Sequence, residues 1–473
     1  MDNNNNNNKS PELVISVPHN NFNLSNIDLK RLDSLDKAFE GDRQHKPTTK
    51  PLIQRVPSTL GIPDDFTKYF KPRVISIGPI HHGDPSLDDS EQLKLRLAAH
   101  FVRNIGVEEE MLYNAIKTEI GSLKECYDQK LLEPYDDEKL AWMMFLDGCA
   151  ILQAILQGSY CYDQSGSSST KMIIKHDLLT FLYLDMFLLE NQLPYRVLEL
   201  LITSSSSSKK GLSMKMIEWF VEEIVIFPAE IEQETPLKQK GEPVHLLDHL
   251  RKRLILKEEK KTTLLEKLGF MCQCHLFSIS KHRTKVDYHY PWYRKAQELR
   301  NAGIWFQESE TPRLTDVGFS RRLFMGKLWL PRIMVDDSTG TRFMNLIAYE
   351  MCPDFENDFT VTSYICFLDE LIDDAGDVKL LRNDGVLHNV LGSDEEVAKL
   401  FNTMSTVLVP SPEIYLDVKL QIEDHCRRKW IRHAAQAYLT YFSSPWTFIA
   451  FMGANAALLM SAIQTYYAII SAK

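Results

Sequence analysis

His245 and His249 lie four residues apart with Asp248 between them, so on a helix both rings would share one face and an acid would flank them. That spacing imitates the H-x-x-E-H arrangement of some zinc peptidases. Asp replaces the expected Glu, and the sequence offers no third ligand. Cys272, Cys274 and His275 form a second metal-like group. Its C-x-C spacing is not the C-x-x-C of structural zinc sites, and no second pair follows at a suitable distance. His81 and His82 with Asp84 fall in a turn, where side-chain hydrogen bonds would close the backbone. Asp147, Asp177, Asp185 and Glu190 are carboxylates within apolar helical runs. Buried acids need partners, and acids with shifted pKa values often do chemistry. A P-loop, a G-x-S-x-G elbow, a kinase set and a G-x-G-x-x-G after a strand are all missing. No catalytic residue, metal ligand or cofactor is therefore assigned.

The elements that must carry these residues read as mainly α, with a large helical domain and a small antiparallel β insert. Met1 to about Lys50 opens with six consecutive asparagines, stays polar and reads as disordered. Val74–Ile77 reads as a short extended segment before a turn. Helical periodicity follows over Ser90–Asn104, where Leu93, Leu97 and Phe101 make one face with Lys94 and Arg96 off it. Glu108–Tyr127 and Asp137–Gln157 are similar, and the second is apolar nearly all round, as a core helix would be. His176–Ile202 reads as another helix, interrupted by Pro194. Polar linkers cover 158–170, 204–211 and 228–243. Val244–Leu256 is helical by the same pattern, and Glu258–Thr262 breaks it. From Gly303 to Asp337 the period changes to short alternating runs, with Pro331 confining the last strand to an edge. Helices resume at Thr341–Cys352, Val361–Asp374 and Asp394–Val407, the last opened by an S-x-x-E box of Ser393 and Glu396. A helix over Glu413–Ser443 would lead into the C-terminal run.

That run is the strongest signal in the chain. No charged residue lies between His433 and Lys473, and Trp446–Ile463 reads WTFIAFMGANAALLMSAI. About 20 apolar residues wound as a helix match the roughly 30 Å hydrocarbon core of a bilayer. Residues 439–473 are thus expected to form one transmembrane anchor behind a helical domain at 51–438. Trp446 at one end and Tyr466 and Tyr467 at the other resemble interfacial aromatic belts. Arg427, Arg428, Lys429 and Arg432 precede the span, which predicts a cytoplasmic N-terminal domain. Gly453, Ala457 and Ser461 recur every four residues, and Asn455 lies among them, so a second membrane helix could pack closely there. The expected partners are the lipid bilayer and a second copy or another protein.

Composition narrows the class. Hydrophobic content of 44% and charged content of 25% are globular values. A net charge of −10 excludes the basic footprint that nonspecific nucleic-acid binding requires. Residues 1–50 hold no apolar run of signal-peptide length, so the Asn23-Leu24-Ser25 sequon is expected to be unused. The eight cysteines are scattered and flanked by apolar residues, as buried thiols are in a reducing compartment.

Several phrases then line up in one order: PRVISIGP (72–79) with His81-His82-Gly83, Glu91 with Lys94, MMFLDG (143–148), Asp177-Leu178, LLENQLP (188–194), HLLD (245–248) and AQELRNAGIWF (296–306). DDST (336–339), NLIAYE (345–350), Ser363-Tyr364 with Leu368-Asp369, LGSD (391–394), and Tyr441-Phe442 with Pro445-Trp446 complete the series. Together, over about residues 51–470, they resemble the plant family known as domain of unknown function 247. The resemblance implies a plant protein that usually ends in one transmembrane helix and has no established enzymatic activity. Some grass members are associated with self-incompatibility, which points toward recognition or signalling, a role that belongs to those members and does not transfer by resemblance. His249 stands where the family pattern more often has Leu, and Gln153 and Arg196 where it more often has acidic or apolar residues. Two readings result. One is a non-enzymatic membrane-anchored interaction protein; the other is an enzyme built from dispersed residues such as Glu190, Asp177 and His82.

Overall fold

An apolar helix that has no polar face needs protein or lipid on every side, and two such helices dominate this chain. The computed structural model describes residues 30–37, 39, 51–61, 66–162, 174–205, 213–225, 241–256, 294–322, 325–356, 358–406, 408–428 and 445–471. Residues up to Thr49 group as one unit and Lys50–Lys473 as another. In the first, residues 30–37 are helical and exposed, with Lys37 and Asp33 paired at 2.6 Å. The disorder expected for the rest of 1–50 concerns residues outside the described set, as do Cys272, Cys274 and His275.

The second unit begins with α1 (Phe66–Phe70), α2 (Ser90–Ile105), α3 (Glu109–Lys124), α4 (Asp137–Tyr162), α5 (His176–Asp185), α6 (Tyr195–Ser205), α7 (Lys215–Val225), α8 (Leu246–Ile255) and α9 (Ala296–Asn301). Strands β1 (Ile304–Glu308), β2 (Gly318–Arg322), β3 (Met325–Leu330) and β4 (Ile333–Val335) follow. Then come α10 (Thr339–Glu350), α11 (Thr360–Leu371), α12 (Ala375–Asn383), β5 (Leu387–Asn389), α13 (Asp394–Ser405), α14 (Leu416–Arg427) and α15 (Pro445–Ser471). The protein is mainly helical with a small sheet. Helices α2, α3, α6 and α7 surround α4. Gly148 makes the α4–α6 approach possible, since a Cβ there would come within 2.7 Å of Leu201 and 2.9 Å of Val197. One core runs from Ile53 to Ile422 and joins both halves of the domain.

Four expectations need correction. The sheet is mixed: β3 is central, antiparallel to β2 and parallel to β1. The loop between β1 and β2 is tied to the end of α8 by Leu314 N–H donating to Leu254 O at 2.8 Å, which carries β2 to the far edge of β3. Pro331 does not place its strand at an edge. It ends β3, because it has no N–H to donate, and β4 then pairs in parallel with β5.

The helix expected over 176–202 breaks at Met186, well before Pro194. Side chains cap it: Asn191 Nδ2 donates to Asp185 O (2.9 Å), and Gln192 Nε2 to Met186 O (2.8 Å) and Leu188 O (2.7 Å). Amides that satisfy the final carbonyls in this way end the helix early. The long helix expected over 413–443 begins at Leu416, after Tyr415 in the left-handed region (φ 62°), and its described part ends at Arg427.

Candidate functional site

Residues 73–78 belong to no strand, and the backbone bends at Arg73, Val74 and Gly78. Side chains accept their backbone N–H groups instead. Arg73, Val74 and Ile75 donate to Asp185 at 2.7–3.1 Å. Ser76 donates to Ser90 Oγ (2.9 Å), Ile77 to Asn191 Oδ1 (2.7 Å) and Gly78 to Asp147 Oδ2 (2.8 Å). A buried donor left unpaired costs about 1–3 kcal/mol, so these polar side chains substitute for a neighbouring strand. Gly78 has φ +71°, and a Cβ on it would meet Gln192 O at 2.6 Å. The PRVISIGP segment is clasped against the turn that follows α5.

The carboxylates singled out by sequence divide on this geometry. Asp147 on α4 is fully buried and pairs with Lys94 Nζ at 2.8 Å, itself fully buried. Lys94 also meets Glu91 at 2.6 Å. Burial works against the Lys94 ammonium, but Asp147 and Glu91 outweigh it and hold its pKa above the ordinary lysine value. Lys94 was expected to lie off the apolar face of α2; the Asp147 charge draws it inside. Burial raises Asp185 to about 6 against the pull of its backbone donors.

Glu190 accepts from Val56 N–H (2.9 Å) and lies 3.2 Å from His81 Nε2 and 3.7 Å from Arg55. Burial opposes its charge, yet His81, Val56 and Arg55 hold its pKa below the usual carboxylate value. His82 pairs with Glu91 at 3.2 Å, and Asp84 caps a short turn by accepting from Ser86 N–H. Asp177 stands exposed in the first turn of α5.

The histidine pair belongs to a neighbouring part of the same polar network. His245 is the N-cap of α8, its Nδ1 accepting from Asp248 N–H at 3.1 Å. Asp248 accepts from Val244 N–H (2.9 Å) and pairs with Lys252 (2.9 Å). His249 stacks on Tyr195 and His245 meets Tyr349 edge-on. Burial lowers both histidines to about 4, so their neutral forms prevail at neutral pH. Among the described residues no group of three His, Cys, Asp or Glu converges as a metal site requires.

Sequence reasoning missed several residues that bind this network together. Asn345 on α10 accepts from Leu189 N–H (2.7 Å) and donates to Tyr69 O (2.8 Å). Gln192 Oε1 accepts from Leu247 N–H at 3.2 Å. Arg251 and Glu350, both buried, pair at 2.7 Å, and Glu350 also accepts from Val361 and Thr362 N–H. Polar residues placed within otherwise apolar phrases were the available signal. The two positions that depart from the family pattern have partners as well. Gln153 accepts from Asn104 (3.0 Å), and Arg196 grips Glu119 through two hydrogen bonds (2.9 and 2.8 Å).

Two cavities stand out among the described residues. One of about 40 Å³ lies under α10, between Leu254, Ile333, Arg342 and Tyr364. The other, an open cleft of about 570 Å³, lies between the starts of α12 and α13 and is lined by Lys379, Arg382, Ser393 and Asp394. Glu190, Asp177 and His82, the residues of the enzyme reading, line neither of them.

The C-terminal positions are all on α15. Its residues Trp446–Ile470 are 0% buried, whereas the equally apolar Asp137–Gly158 is 89% buried. Both are long and apolar enough to cross a membrane. Gly453, Asn455, Ala457 and Ser461 are exposed, and Asn455 Nδ2 donates to Phe451 O within the helix at 2.7 Å.

UPF0481 protein At3g47200 of Arabidopsis thaliana is 28% identical over 424 residues, covering 87% of this chain and 86% of the relative. A second UPF0481 protein of that plant, At3g02645, is 22% identical over 513 residues, covering 93% of each. No solved structure matches the chain. The model of the family described as a plant protein of unknown function, DUF247, matches residues 53–460, and the chain belongs to that family.

Proposed function

We propose that this chain is a single-pass membrane protein whose helical domain is held at the cytosolic face of a bilayer for recognition of another protein. The observation that carries the reading is α15, an apolar helix of 27 residues in which none of Trp446–Ile470 is buried. The equally apolar α4 is enclosed by other helices, so the fold meets the need of one and leaves the need of the other to lipid. Arg427 and Arg428 on the N-terminal side support a cytosolic domain. Recognition is favoured over chemistry because Asp147, Asp185, Glu190 and Glu350 are spent on backbone N–H groups and cations of the fold itself. Gly453, Ala457 and Ser461, with Asn455 beside them, are the face through which a second copy would pair.

Carbonate extraction of the full chain tests the anchor: it should stay in the pellet, and removal of residues 440–473 should release it. Equal retention of the shortened chain would overturn the reading. Co-purification in mild detergent should return a stoichiometric protein partner or a self-pair, and a monomer without a partner would remove the recognition half.

A further inference from the structure

The end of the helical domain nearest in sequence to α15 carries a cluster of cations that the fold assembles from two distant segments. Helix α14 buries Val418, Ile422 and His425, and turns Leu420, Asp424, Arg427 and Arg428 outward. Strand β2 packs against this helix, with Phe319 edge-on to His425. It delivers Arg321, whose Nη1 lies 2.9 Å from Asp424 Oδ2. Arg428 meets the same carboxylate oxygen at 3.0 Å. One carboxylate thus holds two guanidinium groups, one of them from a strand 103 residues earlier in the chain, and Arg427 projects beside them into solvent. Arg294 pairs with Glu423 one residue earlier, so that neighbour adds no net charge. Arg321, Arg427 and Arg428 against Asp424 leave the C-terminal end of the helix with a net charge of +2, or +1 when the exposed Asp417 two turns earlier is counted, on a chain whose total is −10.

We infer that this patch is a docking surface for anionic lipid headgroups, which sets the face that the domain turns to its membrane. The inference rests on the membrane reading above. Chain continuity selects the occupant. Arg428 is followed by 16 residues and then by Pro445, the first residue of α15. A chain of that length spans at most about 60 Å, so the patch is tethered to the bilayer it would touch. Charge complementarity selects the lipid class. Each basic residue at an anionic surface strengthens partitioning about fivefold, and the field falls off within a Debye length of roughly 8–10 Å. Leu420, exposed on the same helix face, can enter the headgroup layer beside the cations. A merely structural role for the arginines, pairing with Asp424 and the C-terminal end of α14, predicts no dependence on lipid charge.

The test uses the full chain in lipid nanodiscs of phosphatidylcholine alone, or with about one-third phosphatidylserine, read by amide hydrogen exchange over residues 416–427. Phosphatidylserine should slow exchange there several-fold, and 0.5 M salt should reverse the effect. Arg321→Gln/Arg427→Gln/Arg428→Gln should lose the lipid response, and Arg427→Gln alone, which breaks no ion pair among the described residues, should weaken it. Equal exchange in the two lipids, with the chain stably incorporated in both, would overturn the docking surface and leave the anchor standing. Failure to incorporate into either disc would overturn the anchor and the docking surface with it.

Discussion

Lys94 and Asp147 are an ion pair without solvent, and their energetics are asymmetric. Removing one partner leaves a buried charge and costs about 3–5 kcal/mol, whereas replacing both with apolar residues of similar volume is often neutral. Lys94→Met should therefore lower the free energy of urea unfolding by that amount, and Lys94→Met/Asp147→Asn, which removes both charges and keeps an acceptor for the Gly78 N–H, should recover part of it. Additive losses would show that the two side chains act independently.

The histidine pair sets a pH response of definite sign. His245 and His249 fall to about 4 in the fold against 6.5 unfolded, so the unfolded chain binds more protons between those values. Their contribution is complete above pH 6.5 and is lost as pH falls to 4, at most about 3 kcal/mol each. Asp248, Lys252, Tyr195 and Tyr349 are the polar groups that face them. Asp185, raised to about 6, works in the opposite direction between pH 6 and 4. Melting of His245→Asn/His249→Leu should consequently fall less than wild type from pH 6.5 to 4.

At the scale of elements, the segment 73–78 depends on its geometry more than on its residue types. Gly78→Ala would set a Cβ against a backbone carbonyl at a left-handed φ. A destabilisation of at least about 3 kcal/mol, or loss of soluble expression, is expected in thermal melts. Gly106→Ala also has a positive φ but open space around it, and serves as the milder control.

Most helices were legible in the sequence because their apolar faces repeat at 3.6 residues. Ser393, named from its S-x-x-E spacing, does cap α13 by accepting from Glu396 N–H at 3.2 Å. The break at 186–194 was not legible. It depends on where the Asn191 and Gln192 amides reach once α5 packs. The strand order was hidden for a related reason, since the Leu254–Leu314 hydrogen bond that redirects the chain joins residues 60 apart.

For the whole molecule, the decisive contrast is between two apolar helices of similar length. Since none of Trp446–Ile470 is buried, deleting residues 440–473 should leave the melting temperature within a degree or two of the full chain in detergent. A large drop would mean that the tail contributes to the folded core. Composition and periodicity determined by themselves that the protein is mainly helical, that its last apolar run could span a bilayer, and, through a dozen ordered phrases, its family. These are local or statistical properties, and a chain carries them before it folds. Tertiary structure alone decided which apolar helix is covered, because burial depends on neighbours and not on the helix itself. It also decided what the buried acids do. A carboxylate within an apolar run is equally consistent with catalysis and with scaffolding until its partners are known, and here those partners are backbone N–H groups and cations brought from tens to more than a hundred residues away.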